Sequence, residues 1–427
     1  MNYNHLRKNL PPRLPDRVFI WDETLKEGIQ TPTVFLTYVE KVKLAKMLDE
    51  MGVAMITVGH PALSDDEKNT VRRIVNEGFQ QATTVATSRI AKNEVDACLE
   101  CGVKEIAIVT PFNGLNLQYS MKMSKEQALQ KTVETIEHAK KHGAKVDFVL
   151  EDGSRTLLQD ILQIFGAVVK AKADRLVLED TAGFLRPLST RYLFSHIREG
   201  LEELKIKDVP LSISCHNDFG LATANSLAAA EEGVEYIHAS VVGFGERAGV
   251  APLEEVVTAL ELLYDVDTGL DLLKLYRLAQ LAEKMFALPI QFHKPIVGDN
   301  AFSYEVEEHV QAILANPMTL EPFPPEIVGR EVMFFLGRQT GRGLIQSRLE
   351  AASIKASPMQ IDEIVKRIRR TQETVDKGEA QMTFYEVKKL LRELKKGLTD
   401  EEFWKIVEQV TRQKPKLQEK LASAPTA

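Results

Sequence analysis

Between Arg17 and about Leu262, short apolar or β-branched runs alternate in a fixed order with longer amphipathic stretches. Runs of this length and composition are typical of buried strands. They predict strands at Val18–Trp21, Met55–Val58, Thr83–Ala86, Glu105–Val109, Lys145–Leu150, Arg175–Glu179, Leu211–Cys215 and Tyr236–Ser240. The stretches between them repeat apolar residues every three or four positions, as helices with one buried face do. They predict helices at Val39–Met51, Asp65–Glu77, Asn93–Cys101, Lys125–His142, Thr156–Ala171, Thr190–Leu204, Thr223–Glu232 and Leu253–Leu263.

Eight strands that alternate with helices over about 250 residues predict an α/β fold of the (β/α)8 TIM-barrel class. A doubly wound open sheet is the second interpretation. Such a sheet carries a glycine-rich fingerprint after its first strand. Thr24–Gly28 reads T-L-K-E-G and lacks it, so we favour the barrel.

The chain has 427 residues, and single cores stop growing near ~250–300 residues, so a smaller region should follow the barrel. Helical patterns continue at Leu270–Phe286, Ile361–Lys377, Thr383–Lys396 and Glu401–Lys414. We therefore expect a mostly helical C-terminal region after the barrel. The predicted segments are an N-terminal extension (1–16), the barrel (17–266), a linker with an accessory subdomain (267–350), a helical C-terminal subdomain (351–414) and a disordered tail (415–427).

Composition narrows the class of protein. Charged residues make up 27% of the chain and the net charge is -7, which argues against a nucleic-acid scaffold or a binder of anionic membranes. The polar N-terminus lacks the apolar core of a signal peptide, and no apolar run approaches the ~18–20 residues of a membrane span. Cys98 and Cys101 form a lone C-x-x-C without the second pair of a zinc site. We expect reduced thiols and a cytoplasmic enzyme with no nucleic-acid or membrane partner.

Polar residues cluster just after the predicted strands. Barrel enzymes build their active sites at this carboxyl-terminal mouth, from the ends of several strands. The clusters are Asp22–Gly28 after strand one, Glu151–Arg155 after strand five, Glu179–Thr181 after strand six, Ser214–Asp218 after strand seven and Gly243–Gly249 after strand eight. Carboxylates, an imidazole and a cation that converge on one cavity suit a divalent ion that polarises a carbonyl or enolate oxygen.

These segments resemble the pyruvate carboxyltransferase-like family of metal-dependent barrels, from about Val18 to Leu349. The family includes isopropylmalate, homocitrate and citramalate synthases and hydroxymethylglutaryl-CoA lyase. The resemblance is carried by W-D-E-T-L-K-E-G-I-Q (Trp21–Gln30), E-D-G-S-R-T (Glu151–Thr156), E-D-T-A-G (Glu179–Gly183), C-H-N-D-F-G-L-A-T-A-N-S (Cys215–Ser226), G-F-G-E-R-A-G-V-A-P-L (Gly243–Leu253), H-K-P-I-V-G-D-N-A-F (His293–Phe302), A-I-L-A-N-P (Ala312–Pro317) and L-G-R-Q-T-G-R (Leu336–Arg342).

Three details resemble the homocitrate-synthase branch in particular. Glu27 stands where that branch has glutamate rather than aspartate as a metal ligand. Val250 is the aliphatic residue found where lyases place a ligand asparagine, and Val297–Pro317 also looks like that branch.

The resemblance implies a divalent metal (Mn, Mg, Zn or Co) held by Glu27 and His216. The alternatives are a surface glutamate and a structural histidine. Ser214 stands at the family's first histidine, and a hydroxyl is a poor ligand beside an imidazole. We therefore expect metal binding to be weaker than in the family, with Ser214, water or substrate completing the coordination.

Three residues are expected to be catalytic by the same resemblance: Lys26, Glu151 and His309. Lys26 replaces a family arginine, so it keeps the charge that could steady an enolate oxygen but loses the planar fork. A Schiff-base role for Lys26, which needs a depressed pKa, is a remote alternative. His309 matches the histidine that synthases supply from a neighbouring subunit as general base. Leu320 stands at the place of its usual tyrosine partner, and Tyr304 is the candidate to take over the role of that tyrosine.

Four residues are assigned to substrate binding: Arg89, Thr181, Gln30 and Asn217. Arg89 and Thr181 would hold the carboxylate of an α-keto acid, a task that suits an arginine fork. A structural salt bridge or helix cap is the equal alternative for both. Asn217 is also a candidate for holding the fold around His216. Thr57 replaces a family glutamate, and His60 follows it towards the mouth. Glu246 and Arg247 are expected to form a buried structural pair that shapes the strand-eight loop.

The expected function is an acyltransferase that condenses acetyl-CoA with an α-keto acid: 2-oxoglutarate, oxaloacetate or pyruvate. Two alternatives stay open. One is a lyase or aldolase of the same family that uses the barrel alone. The other is a binding protein on an altered site, which the substitutions at Ser214, Lys26, Thr57 and Leu320 motivate. If His309 acts across subunits, the protein is at least a homodimer.

Overall fold

The computed structural model describes residues 4, 9, 11–374, 377–394 and 397–413. The predicted tail 415–427 and residue 414 lie outside the described residues. The chain divides into two compact units, residues 1–372 and 373–427. The predicted division at residues 350 and 351 stays a prediction.

Eight parallel strands close into a barrel in the order in which they occur along the chain, so the predicted (β/α)8 barrel is confirmed. The strands are β1 (Phe19–Asp22), β2 (Met55–Gly59), β3 (Thr83–Arg89), β4 (Glu105–Pro111), β5 (Lys145–Glu151), β6 (Arg175–Asp180), β7 (Leu211–Cys215) and β8 (Tyr236–Ala239). Closure is made where β1 pairs with β8, with Trp21 opposite His238.

Helices on the outside of the barrel connect the strands. They are α1 (Tyr38–Met51), α2 (Asp65–Val75), α3 (Lys92–Glu100), α4 (Gly114–Asn116), α5 (Lys125–Lys141), α6 (Leu158–Lys170), α7 (Pro187–Glu203), α8 (Ala222–Glu231) and α9 (Leu253–Tyr264). Helix α1 illustrates how local sequence defines both ends of a helix. Thr37 and Glu40 form a reciprocal capping box at its start, and Gly52 ends it in the left-handed conformation.

Two apolar layers result from the alternation of side chains along the strands. The larger layer lies between the strands and the helices. The smaller one fills the barrel interior with Trp21, Met55, Val85, Ala107, Val149 and Val177. Because every second residue of a strand points inward, polar residues in the same phase as these six also face the inside of the barrel.

An arginine lies in the interior below this apolar layer, near the amino ends of the strands. Arg175 Nη1 lies 2.5 Å from Asp147 Oδ1 and 3.1 Å from Glu105 Oε1. Its guanidinium also lies over the ring of Tyr236, 3.9 Å from the centroid, and 5.5 Å from that of Trp21. The charge of this buried cation is therefore shared between two carboxylates and two aromatic faces.

The rest of the first unit follows the barrel. It contains α10 (Leu275–Phe286), α11 (Glu307–Ala315), α12 (Arg342–Ala351) and α13 (Pro358–Glu373), with a two-strand parallel sheet of β9 (Ser303–Tyr304) and β10 (Met333–Phe334). α10 begins later than predicted, because Asp271 caps a separate 3-10 turn at Leu272–Lys274.

The second unit contains α14 (Lys377–Leu394) and α15 (Asp400–Thr411), so the predicted helical end of the chain is confirmed. Among the described residues, no helix combines the length and the apolar character that a membrane span requires.

Candidate active site

A tight turn after β1 places two charged residues at the mouth of the barrel. The backbone N–H groups of Lys26 and Glu27 both donate to the carbonyl oxygen of Glu23, at 3.0 and 2.7 Å. Both side chains lie largely out of solvent. Lys26 Nζ then pairs with Glu27 Oε1.

The other oxygen of Glu27 faces His216. His216 Nε2 lies 3.9 Å from Glu27 Oε2, which is buried and has no hydrogen-bond partner among the described residues. The backbone of His216 bridges to Val250, so the strand-eight loop closes over this pair. Burial lowers the pKa of His216, which leaves its imidazole neutral and able to donate a lone pair.

These residues fit a divalent ion in part. Two ligand atoms 3.9 Å apart can bind one ion at about 2.1 Å each. Ser214, the third predicted ligand, is buried at the end of β7 and lies opposite Glu179 in the β6–β7 register. Within the described part of the chain, no group of three His, Cys, Asp or Glu side chains is arranged to hold a metal. Of the three predicted ligands, Glu27 and His216 are therefore the two strong donors.

Further carboxylates lie close to the Lys26 ammonium. Burial raises the pKa of Glu179 to about 8 and also raises that of Glu151, in both cases against the opposing charge of Lys26. Burial would lower the pKa of Lys26, but the charges of Glu27, Glu23 and Glu179 raise it above its ordinary value. A lysine held charged in this way is unsuited to Schiff-base chemistry, so the remote alternative for Lys26 loses its basis.

The sequence did not identify His238, which lies beneath the mouth in β8. Its Nδ1 lies 3.0 Å from Glu23 Oε1, and Thr57 Oγ1 donates to the same oxygen at 2.8 Å. The His238 ring stacks on Trp21 at 4.2 Å between centroids. The missed signal was strand phase: His238 is a polar residue at an inward position of β8, and Glu23 continues the inward phase of β1 one residue beyond its end.

Arg89 ends β3, and its guanidinium is already paired. Arg89 Nε donates to Glu94 Oε1 at 2.7 Å, and His60 Nε2 lies 2.9 Å from Glu94 Oε2. The arginine side chain is 66% exposed, whereas that of Glu94 is 7% exposed. The salt bridge considered as the alternative for Arg89 is thus present, and Glu94 fixes the direction of the arginine.

The other predicted substrate residues lie at strand ends with mostly structural contacts. Thr181 Oγ1 accepts the N–H of Asp152 at 2.8 Å. Asn217 Oδ1 accepts the N–H of Ala222 at 3.1 Å, which ties the end of β7 to the start of α8. Gln30 is exposed in the turn after Gly28.

One expectation for the strand-eight loop is wrong. Glu246 and Arg247 were expected to form a buried pair, but their side chains are 53% and 39% exposed. Arg247 Nη1 does donate to Glu246 Oε2 at 3.1 Å, and the same guanidinium donates to both carboxylate oxygens of Asp218, at 2.8 and 3.0 Å. The pair therefore forms but is exposed, and the contact with Asp218 links the strand-eight loop to the end of β7.

His309 lies on the surface of α11, outside the barrel. Tyr304 lies half-buried in β9, where burial and the charge of Glu321 raise its pKa. Leu320, at the place of the family tyrosine, is 41% exposed.

The raised pKa of Glu179 predicts a pH-dependent stability. Between its ordinary value of 4.5 and about 8, the folded protein keeps a proton that the unfolded chain releases. This contribution to stability is present at low pH and is lost as the pH rises through about 8. In metal-free protein, the stability of the wild type relative to Glu179→Gln should fall by roughly 2–4 kcal/mol between pH 5 and pH 8.

Urea denaturation across that pH range measures this difference. Glu203→Gln, an exposed change at the end of α7, is the matched control and should show a constant difference from the wild type. Parallel curves for wild type and Glu179→Gln at all pH values would contradict a buried, neutral Glu179.

Two family models match the chain. Residues 17–282 match the model described as HMGL-like, and residues 296–376 match the model described as homocitrate synthase post-HMGL domain-like. The two matches together span the barrel and most of the remainder of the first unit.

Several curated proteins are similar over most of the chain. The 2-isopropylmalate synthase of Methanocaldococcus jannaschii is 40% identical, with 83% of this chain and 68% of the relative covered. Homocitrate synthase AksA of Methanopyrus kandleri is 38% identical, with 83% and 88% covered. The (R)-citramalate synthase CimA of M. jannaschii is 37% identical, with 82% and 70% covered.

Solved structures support the fold. The HMG-CoA lyase of Bacillus subtilis superposes with a TM-score of 0.57 at 20% identity, over 65% of this chain and 96% of that chain. The hydroxymethylglutaryl-CoA lyase of Pseudomonas aeruginosa gives 0.58 at 22% identity, with the same coverage.

Proposed function

Because the chain belongs to the HMGL-like family, we propose that it condenses acetyl-CoA with a 2-oxo acid in a Claisen-type reaction that forms a 2-hydroxy di- or tricarboxylate. The observation that carries the proposal is the pair of Glu27 Oε2 and His216 Nε2, which face each other at 3.9 Å beside the Lys26 ammonium. The post-barrel match at 296–376 favours a synthase of the homocitrate type over a barrel-only lyase. The names of the similar proteins, three kinds of synthase, point the same way.

Each side chain at the mouth has a proposed task. Glu27 and His216 would hold a divalent ion, which when bound supplies Lewis-acid polarisation of a carbonyl or enolate oxygen. The binding is expected to be weaker than in the family because Ser214 contributes only a hydroxyl. Lys26 provides a fixed positive charge for an oxygen that becomes negative during the reaction. Glu151, whose pKa is raised by burial, is placed to exchange a proton with such an oxygen.

The reaction requires side chains that bind the carboxylate of the 2-oxo acid and a base that deprotonates acetyl-CoA. Arg89, oriented by Glu94, and Thr181 are the proposed contacts of the acceptor carboxylate, with Gln30 and Asn217 at the edge of the same mouth. His309 would remove a proton from the methyl group of acetyl-CoA, and the resulting carbanion would attack the keto carbon. Water then hydrolyses the thioester and releases the thiol of CoA. His309 lies outside the barrel, so we propose that it serves a partner copy in a homodimer.

Release of free thiol from acetyl-CoA tests the proposal. Purified protein with Mn²⁺ should release thiol when 2-oxoglutarate, oxaloacetate, pyruvate or another 2-oxo acid is added, and chelation of the metal should stop it. His309→Ala should abolish release while leaving the metal content unchanged, because its task is proton removal.

The outcomes separate the alternatives. Silence across a broad panel of 2-oxo acids would remove the synthase proposal. If a protein that releases no thiol with any 2-oxo acid cleaves a 2-hydroxy acyl thioester, the result would indicate a lyase. Binding of acetyl-CoA or a keto acid without turnover would indicate a binding role, which the substitutions at Ser214, Lys26, Thr57 and Leu320 motivate.

A further inference from the structure

The two oxygens of Glu27 face two different positions for a cation. Oε1 is in contact with the Lys26 ammonium. Oε2 is buried, has no hydrogen-bond partner among the described residues, and points to His216. The side chains of Lys26, Glu27 and His216 are only 20%, 9% and 9% exposed, so water screens their charges poorly.

We propose that Lys26 and a divalent ion compete for Glu27, so that the ammonium has to leave this carboxylate when the ion binds. The inference rests on the proposed assignment of Glu27 and His216 as metal ligands. An ion on Oε2 would lie within a carboxylate's width of the ammonium on Oε1. Two cations at that separation repel strongly in a site of low dielectric constant.

The structure offers Lys26 a second carboxylate. Glu23 Oε1 is held by Thr57 and His238, whereas Glu23 Oε2 is buried without a hydrogen-bond partner in the described part of the chain. Of the neighbouring charges, that of Lys26 does most to favour the ionised form of Glu23. An ionised carboxylate with one fixed and one vacant oxygen is a ready acceptor for a displaced ammonium.

This arrangement makes metal affinity a property of four residues. Glu27 and His216 supply the donors, Lys26 lowers the affinity by occupying Glu27, and Glu23 moderates that effect by accepting the ammonium. The weak metal binding expected from Ser214 would therefore have a second and separable cause.

Titration of metal-free protein with Mn²⁺ alone, followed by isothermal calorimetry and equilibrium dialysis, tests the competition. Lys26→Met removes the ammonium and keeps the apolar stem, so it should tighten Mn²⁺ binding at least about tenfold. Lys41→Met is the matched control. Lys41 is 7% exposed, against 20% for Lys26, and pairs with Glu67 at 3.0 Å on the outer helices. Its replacement should leave the affinity unchanged.

Glu23→Gln tests the second position of the ammonium. When Lys26 is present, this change should weaken Mn²⁺ binding by about threefold or more. In the Lys26→Met background it should have no effect on Mn²⁺ binding. A purely structural effect of Glu23 would appear in both backgrounds. Circular dichroism of each variant checks that it is folded.

Unchanged or weaker Mn²⁺ binding in folded Lys26→Met overturns the competition, and so does the absence of Mn²⁺ binding in both proteins. Because no substrate is present, the result is independent of turnover. Tighter binding by Lys26→Met together with a silent thiol assay would sustain the competition and reject the synthase. If the wild type releases thiol but Lys26→Met leaves the Mn²⁺ affinity unchanged, the synthase proposal stands and the competition is rejected.

Discussion

Replacing His216 with alanine should lower the rate of thiol release from acetyl-CoA by roughly 10²–10³-fold. The imidazole is one of the two strong donors among the predicted ligands, and Ser214, two residues earlier at the end of β7, offers only a hydroxyl. A site with two donors has no spare ligand, so the loss of one should remove both the ion and its effect on the acceptor oxygen. The measurement is kcat/KM at saturating Mn²⁺, together with the metal content of the purified variant.

His138→Ala is the control for this change. His138 is half-buried on α5 and lies 2.6 Å from Asp96 on α3, so both residues are on the outer helices. Its replacement should leave thiol release within about twofold of the wild type. Full activity of the His216→Ala protein would show that the family mechanism does not operate through this histidine.

Replacing Arg175 with methionine should destabilise the barrel by roughly 3–5 kcal/mol. Arg175 is the cation shared by Asp147 and Glu105 inside the barrel, and Asp147 is completely buried. Without the guanidinium, two buried carboxyl groups lose their counter-charge and the aromatic faces of Tyr236 and Trp21 lose a stacked partner. Burial already raises the pKa of Asp147, so further neutralisation will recover part of the loss.

Urea denaturation followed by tryptophan fluorescence measures this effect, because Trp21 packs in the same interior. Adding Asp147→Asn to Arg175→Met should restore part of the stability, since the uncompensated charge is then removed. Arg13→Met is the control: Arg13 pairs with Glu232 at the surface, 41% exposed, and should cost at most ~1 kcal/mol. An equal loss in both arginine variants would refute a structural role for the buried ion cluster.

The order of elements was readable from the chain. All eight strands were predicted in their places, because a buried parallel strand shows a continuous apolar run and its helix shows the three-to-four repeat. Strand ends were less accurate: β3 reaches Arg89 and β4 reaches Pro111, beyond the predicted Ala86 and Val109. The ladder continues there because neighbouring strands offer hydrogen-bond partners, which local composition does not reveal.

The sequence by itself also determined which polar residues follow the strand ends, and a parallel barrel brings all of these ends to one mouth. It thereby placed Glu27, Ser214 and His216 together. It did not determine which charges pair. That Lys26 contacts Glu27, that Glu94 holds Arg89, and that His238 lies under Glu23 were decided by the tertiary structure. Each of these contacts joins side chains through barrel register, turn geometry or helix placement. Such distances depend on the closed fold as a whole, and no local pattern of residues encodes them.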